Sequence, residues 1–189
     1  MAGKGLSQDA APNRFALRVA TEADLPRLST LMDLAIEQLQ RGFLSEREIE
    51  ASRAVMGLDT QLVADRSYFA VLDGAKIVGC GGWSRRATLY GGDHSSALRE
   101  PRLLDPQTEA ARVRAMYTHP DHARRGIGRL VLDQCETAAQ SAGFSRAELM
   151  ATLSGVPLYR ACGYREIEPV FAEVGMIRVP LIRMAKSLH

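Results

Sequence analysis

A mixed α/β domain with helices on the faces of its sheet is the fold class this sequence predicts, on three observations. Runs with strand periodicity alternate with runs of helix periodicity. A strand-helix-strand unit sits among strands that otherwise read as hairpins. The chain has 189 residues, and at about 150 per domain that length points to one domain. A chain of this size buries roughly 70% of its extended surface and needs no disulfide or metal to fold.

The elements follow in order. Residues 1–13 are rich in Ala, Gly, Ser and Asp and carry no apolar signal region, so they are expected to form a flexible leader to a domain over 14–189. Phe15–Val19 reads as a strand. Thr21 then caps a helix to Leu39 with Leu28, Leu31, Leu34 and Ile36 among its apolar positions, and Pro26 is tolerable only near its start. Ser45 with Glu48 is a capping box that opens a second helix, and Met56–Ala64 is ambiguous, with a short helix as one reading. Tyr68–Leu72, the Asp73-Gly74 turn and Ile77–Trp83 form a hairpin.

Ser84–Glu109, with Gly91-Gly92, Pro101 and Pro106, is long for a structureless connection. It is either a functional loop or a solvated excursion. Ala111–Thr118 alternates as a strand, Ala111, Val113, Ala115 and Tyr117 on one face and Arg112, Arg114, Met116 and Thr118 on the other. Gly126–Gln140 is a helix with Ile127, Leu130, Val131, Cys135, Ala138 and Ala142 as its apolar stripe. Arg129, Asp133, Glu136 and Gln140 are its wet face, and Gly143 ends it. A strand (Ala147–Thr152), a short helix (Val156–Ala161) and a closing strand pair (Glu166–Phe171, Met176–Met184) complete the chain, Pro180 requiring an edge or bulge.

Composition bounds the function. The chain is 46% hydrophobic and 24% charged, with 24 Lys+Arg against 22 Asp+Glu, a net +2. Global disorder, an acidic tail protein and a generally basic nucleic-acid coat are excluded, so any polyanion must be gripped by a local arrangement. Cys80, Cys135 and Cys162 suit buried apolar positions in a reducing compartment better than disulfides or a zinc site, and the histidines show no metal-ligand spacing. No apolar run approaches the roughly 20 residues that cross a bilayer, so a cytoplasmic protein with no membrane partner and no metal is expected.

The run Tyr117-Thr118-His119-Pro120-Asp121-His122-Ala123-Arg124-Arg125-Gly126-Ile127-Gly128-Arg129 carries the chemistry. A strand ends, Pro120 stops its pairing, and a turn with two glycines feeds a helix. The first helical turn has unpaired N–H groups and a partial positive charge that attract an anion. Gly126 and Gly128 leave room at the backbone, and Arg124, Arg125 and Arg129 add charge, which predicts a phosphate or pyrophosphate site. The plain alternative is a tight strand-to-helix connection. No Gly-Lys-Ser/Thr follows, and the full Gly-x-Gly-x-x-Gly is missing.

With that turn in place, the chain resembles the GCN5-related N-acetyltransferases, whose strand, Gln/Arg-x-x-Gly-x-Gly/Ala turn and helix bind the pyrophosphate of acetyl-coenzyme A. Leu158-Tyr159-Arg160-Ala161-Cys162-Gly163-Tyr164 is similar to the family's Tyr-x-x-x-Gly-Phe/Tyr ending. The resemblance spans Phe15 to Leu188 in element order and is sharpest from Val113 to Tyr164. It implies a single domain whose mostly antiparallel sheet splays between the fourth and fifth strands, with helices on both faces. It departs from the pattern at Ala123, where the family usually has Gln or Arg. It departs again at Ser154, near an Asn that contacts the pantetheine arm in many members; Ser154 either makes that contact or caps the next helix.

The resemblance implies that Met116, Tyr117 and Thr118 pair with pantetheine amides and that the amides of Arg124, Arg125, Gly126, Ile127, Gly128 and Arg129 hold the pyrophosphate. It also implies that Tyr159 lies beside the sulfur as the acid for the leaving thiolate; a packed aromatic is the plain reading of the same residue. Tyrosine, with a pKa of about 10, is protonated at neutral pH and suits that task, while an N–H near Met116 or Tyr117 would polarise the carbonyl. Tyr117 faces either the core or the acceptor.

For the base, Glu109, Asp121, His119 and a water relay stay open, and His119 and His122 otherwise line the turn or face solvent. The acceptor pocket is expected from Gln38–Leu44, the Ser84–Glu109 loop and the connection near Glu173. Trp83, Arg85, Arg86 and Tyr90 are candidates to recognise a carboxylated or aromatic amine, against the plainer reading of a solvated loop. The expected activity is acetyl transfer to a primary amine of a small molecule or protein. A silent acyl-coenzyme A sensor is the second hypothesis; Tyr159 favours the enzyme, since a sensor needs no thiolate acid. An arginine-turn regulator binding nucleic acid finds no basic-aromatic pattern to support it. A homodimer is expected if the last strand is an exposed edge.

Overall fold

The computed structural model describes residues 14–188, so the expected leader at 1–13 lies outside the described residues. Seven strands form one sheet: β1 (Ala16–Val19), β2 (Tyr68–Asp73), β3 (Lys76–Ser84), β4 (Ala111–Thr118), β5 (Arg146–Thr152), β6 (Arg165–Val174) and β7 (Ile177–Ser187). Their order is β1-β2-β3-β4-β5-β7-β6, and every neighbouring pair is antiparallel except β4 with β5. The helices are α1 (Leu25–Leu39), α2 (Glu46–Ser52), α3 (Thr60–Ala64), α4 (Ile127–Ser141) and α5 (Val156–Ala161). This is the predicted mixed sheet with helices on both faces.

Local chemistry accounts for the boundaries. A short 3₁₀ turn, Glu22–Asp24, precedes α1, and the Thr21 amide donates to Asp24 at 2.9 Å, so Thr21 caps that turn and Pro26 falls in the first turn of the helix. The Ser45 amide donates to the Glu48 carboxylate at 2.8 Å, the reciprocal half of the capping box that starts α2. The ambiguous Met56–Ala64 stretch contains α3, capped by the Asp59 carboxylate accepting from the Gln61 amide. Pro180 lies just past the β5 ladder, which ends at Thr152 opposite Leu181, so its missing N–H disrupts no pair on that side.

Two large cores flank the sheet, and a smaller third packs Ala51 and Val55 against Ala172, Val179 and Leu181. Of the large two, one packs α4 and α5 against Val78, Val113 and Leu149; the other packs α1 and α3 against Ala70, Cys80 and Tyr117. In α4 the buried stripe includes Leu132 and Ala139, while Ala142 is exposed. Glu136, expected on the wet face, is buried because Lys186 of β7 reaches across to pair with it at 2.6 Å.

Three further expectations are corrected. The strict alternation of β4 breaks at Ala115, which has φ 51°, where Ala115 and Met116 together oppose Gly81 in a bulge. The extra residue flips the faces: Val113 and Met116 contact the α4 side, whereas Tyr117 belongs to the α1 side. Ser84–Glu109 is not structureless, for the Ala87 amide donates to the Arg102 carbonyl at 2.9 Å and the Leu104 amide to Arg85 at 2.7 Å, with a 3₁₀ turn between. The last strand is not an edge: β7 lies between β5 and β6, and β6 is the edge.

The bulge carries a stability test. A non-glycine residue in the left-handed region costs about 1–2 kcal/mol, and glycine in the unfolded chain costs back about 0.5–1 kcal/mol. Ala115→Gly is therefore expected to leave the thermal midpoint unchanged or raise it by a few degrees. Ala115→Val, whose branched Cβ meets the same backbone, is expected to lower stability by at least about 1 kcal/mol, read by urea denaturation.

Candidate active site

The ladder between β4 and β5 covers only Ala111–Val113 against Ala147–Leu149. Past Val113 the strands part, and a cavity of about 600 Å³ fills the gap, walled by β4 residues Val113–Thr118, by Met150 and Thr152 of β5, and by Tyr159 of α5. At one end lie the starts of α4 and α5; at the other lie the end of α1, the segment after α2 and the loop around Tyr90. Of the predicted site residues, Met116, Tyr117, Thr118, Arg124, Gly126, Ile127, Gly128, Arg129, Ser154 and Tyr159 all line this cavity, and Arg125 does not.

The turn before α4 is built by sequence chemistry. Pro120–His122 forms a 3₁₀ turn capped by His119 Nδ1, which accepts from the Asp121 amide at 3.2 Å. Arg124 (φ 64°) and Gly126 (φ 84°) then take left-handed conformations, which turns successive amides to one side. Among the described residues no acceptor takes the amides of 124–129; the next one, Leu130, donates to the Gly126 carbonyl at 3.0 Å. Amides turned this way at the positive end of a fifteen-residue helix form a cradle for an anion.

The two glycines serve different ends. Gly126 is demanded by its backbone conformation and a Cβ there would meet open space, while a Cβ at Gly128 would lie 2.7 Å from the Leu158 side chain. Gly128 therefore lets α5 dock against α4 and brings Tyr159 to the cavity. Arg129 donates to the Ala161 carbonyl at 3.2 Å, tying the same two helices together, while Arg124 and Arg125 are exposed.

Tyr159 is buried, stands edge-on to Tyr164 with ring centroids 6.0 Å apart, and its hydroxyl has no hydrogen-bond partner among the described residues. Burial pushes its pKa well above that of free tyrosine, so the hydroxyl keeps its proton at neutral pH. Tyr117 is both core and cavity wall: its ring packs with the α1 core while its hydroxyl accepts from the Gly57 amide at 2.8 Å. Ser154 does not cap α5. Its hydroxyl lies 3.1 Å from that of Thr152, and it is Thr152 that accepts from the Gly155 amide at 3.2 Å.

The base candidates fare differently. Glu109 pairs with Arg102 at 2.8 Å and accepts from the Asp105 amide, which hold its carboxyl down at about 2, and it lies away from the cavity. Asp121 is exposed, and His119, its pKa lowered chiefly by burial, is used as the cap of its own turn. Neither lines the cavity. Among the described residues the lining contains no carboxylate, imidazole or lysine. The residues of the turn and the tyrosine helix thus line the cavity, and the three candidate bases do not.

Of the loop candidates only Tyr90 reaches the cavity. Trp83 stacks edge-on with Phe144 at 6.2 Å, Arg86 is held by Asp65 at 2.7 Å, and Arg85 is exposed outside it. Leu39, Gln40 and Phe43 line it as expected; the closing strands contribute Leu181 and not the Glu173 connection.

Sequence reasoning put Arg114 on the strand entering the site but missed Asp59 and the pair the two form. Arg114 Nη1 lies 2.7 Å from Asp59 Oδ2, off the hydrogen-bond axis, and its Nη2 donates to the Gly91 carbonyl at 2.7 Å. Arg99 adds a second cation 3.3 Å from the fully buried Asp59. The pair fastens the Tyr90 loop to β4. Its only sequence signal was an arginine inside a strand, which a single chain does not distinguish from a surface residue. Among the described residues no group of three or more His, Cys, Asp and Glu could hold a metal, and no helix is long and apolar enough to cross a membrane.

A half-splayed sheet with an amide cradle at one end of the cleft is the frame of an acyltransferase. Residues 64–166, more than half of the chain, match the family model for the acetyltransferase (GNAT) domain, and the chain belongs to that family as an N-acetyltransferase. It is 26% identical over 77% of its length to YjcF, an uncharacterised N-acetyltransferase of Bacillus subtilis (strain 168), of which 84% is covered. The fold is similar to that of a GCN5-related N-acetyltransferase from Rhodopseudomonas palustris: TM-score 0.68, 21% identity, 92% of this chain and 95% of that one. It is also similar to the PaiA N-acetyltransferase of Thermoplasma acidophilum solved with coenzyme A: TM-score 0.62, 14% identity, 92% and 98%.

The buried pair yields a stability prediction. Arg114→Met strips Asp59 of its nearest counter-charge and is expected to cost about 3 kcal/mol in urea denaturation. Adding Asp59→Asn is expected to recover part of that loss, because the stranded charge is then gone.

Proposed function

We propose that this chain transfers an acetyl group from acetyl-coenzyme A to a primary amine by direct attack on the thioester. The observation that carries the reading is the run of unpaired amides at residues 124–129, opening on the same cavity as a buried, protonated tyrosine hydroxyl. The donor set fits the group: N–H donors and arginines for a pyrophosphate, and an open strand side for an amide-bearing arm. Acetyl-coenzyme A supplies the acyl group as a thioester when bound.

Each residue has a task. The amides from Arg124 to Arg129, with the guanidinium of Arg124, hold the pyrophosphate. The backbone of Met116, Tyr117 and Thr118, free on the β5 side, takes the pantetheine arm, and Ser154 offers it a hydroxyl. The bulge at Ala115 reorients the following amides, and one of these, at Met116 or Tyr117, stabilises the developing oxyanion. Tyr159 Oη holds a proton for the departing sulfur. The PaiA structure, with its coenzyme A, supports the choice of donor.

Two substitutions test these assignments. Tyr159→Phe is expected to lower kcat by roughly 10²-fold or more while the Kd for acetyl-coenzyme A changes little, measured by thiol release and calorimetry. Because burial raises the pKa of this hydroxyl, the acid is present below that raised value and lost only above it, so the wild type is expected to show no falling limb below about pH 10. Gly126→Asp, which sets a carboxylate and a strained backbone in the cradle, is expected to weaken acetyl-coenzyme A binding at least tenfold. Unchanged binding would remove the pyrophosphate assignment.

A further inference from the structure

Building on the transferase reading above, we propose that the acceptor is a weakly basic amine on an apolar body with no second cationic group, taken up in its neutral form. A polyamine, a polycationic sugar or a lysine-like alkylamine is correspondingly disfavoured.

The argument begins with the walls. The half of the cavity away from the α4 turn is lined by the apolar side chains of Ile36, Leu39, Phe43, Met56 and Leu181 and the ring of Tyr90, with Gln40 and Arg114 among them. An apolar body gains by burial there, whereas a cationic one loses its hydration without a counter-charge. The ionisable groups facing the cavity from every element are Arg114 of β4, Arg124 of the turn, Arg129 of α4, Tyr90 of the loop, Tyr117 of β4 and Tyr159 of α5. Of the cations, Arg114 stands beside the Tyr90 loop, while Arg124 and Arg129 belong to the α4 turn; the other three groups are phenols. The nearest carboxylate, Asp59, is fully buried behind Arg114 and Arg99 and does not line the cavity.

An ammonium entering this space therefore meets a like charge and no counter-ion, and both effects favour its neutral form. A second cationic group on the substrate would meet the same opposition. Besides the Tyr90 hydroxyl, the side chains of Gln40 and Tyr117 can orient a neutral amine. The Gln40 amide nitrogen is committed to the Ser52 hydroxyl at 3.0 Å and to the Ile36 carbonyl, which leaves its carbonyl oxygen, without a donor among the described residues, as acceptor. Tyr117 accepts from Gly57 and keeps its own proton to donate.

With no base in the cavity, the proton is lost to solvent before binding. An α-amine with a pKa of about 8 is neutral roughly 10²-fold more often at pH 7 than a lysine-like amine at about 10.4. The walls and the missing base thus select the same class of acceptor.

The experiment follows thiol release from acetyl-coenzyme A by the full chain, with leucinamide, 3-methylbutylamine and spermidine as acceptors. Leucinamide and 3-methylbutylamine share an apolar body and differ chiefly in amine basicity. At pH 7 the kcat/KM for leucinamide is expected to exceed that for 3-methylbutylamine by roughly 10²-fold, following the neutral fractions. The 3-methylbutylamine value is expected to rise about tenfold per pH unit from 7 to 9, with spermidine lowest throughout. Phe43→Glu, at a half-exposed rim position where folding is not at stake, is expected to raise spermidine at least tenfold relative to leucinamide.

Spermidine or 3-methylbutylamine as the best acceptor at pH 7 would overturn the proposal. So would one apparent pKa between 6 and 8 shared by all acceptors, since that would be an enzyme base, or a Phe43→Glu variant with unaltered selectivity. No turnover of any amine while acetyl-coenzyme A still binds would overturn the transferase reading itself, a result distinct from a reordered panel.

Discussion

Parallel pairing between β4 and β5 stops at Val113 opposite Leu149, and the cavity exists because it stops there. A strand in mid-sheet ordinarily spends its amides and carbonyls on two neighbours. Past Val113, β4 keeps β3 on one side and gives up β5 on the other, leaving unpaired backbone inside the protein. Unpaired backbone is costly away from water. It persists here because α5, docked through Gly128 onto α4, and β7 on the far side of β5 hold the two strands apart. The slot is thus a property of the whole packing, not of the residues that line it.

The bulge at Ala115 solves a second problem created by the first. Without it, Tyr117 would follow Val113 and Ala115 onto the α4 face. One inserted residue instead turns Tyr117 to the α1 side, where it meets the Gly57 amide, and leaves Met116 on the α4 side. The strain is offset by bonds made around it: the Tyr68 hydroxyl donates to the Ala115 carbonyl at 2.7 Å. The Asp59–Arg114 pair then fixes the loop over the same strand. A buried ion pair is weak evidence for stability but holds geometry firmly, which is what a loop wall needs.

How far the sequence could be read follows from the range of the interactions. Helix α2 and its capping box, the Asp73-Gly74 hairpin, the Gly126 turn and the Tyr159 helix were legible because each is set by neighbours a few residues apart. The face of Glu136 was not, since Lys186 fifty positions on decides it. The bulge was illegible for a similar reason: its cause lies in β3 and in Tyr68, and the alternating pattern of β4 is fully compatible with a regular strand. The candidate site divides the same way. The turn before α4 is one contiguous segment whose residues could be named from the sequence, while the opposite end gathers residues from α1, the loop and β7, so that only its regions, and not most of its side chains, could be named.

That division has a chemical counterpart. The contiguous end offers main-chain amides and a helix terminus, features that survive many side-chain changes; Ala123 stands in the family's usual Gln or Arg position and the amides that follow it, 124–129, have no acceptor among the described residues. The assembled end is all side chain, so its character can change by single substitutions without disturbing the cradle. In this chain it is apolar, with Arg114 as its cation and Asp59 sealed behind Arg114 and Arg99. On the proposed reading, a near-neutral protein grips a highly anionic donor because the needed charge is concentrated at one helix start, and Arg114 at the other end weighs against a cationic acceptor.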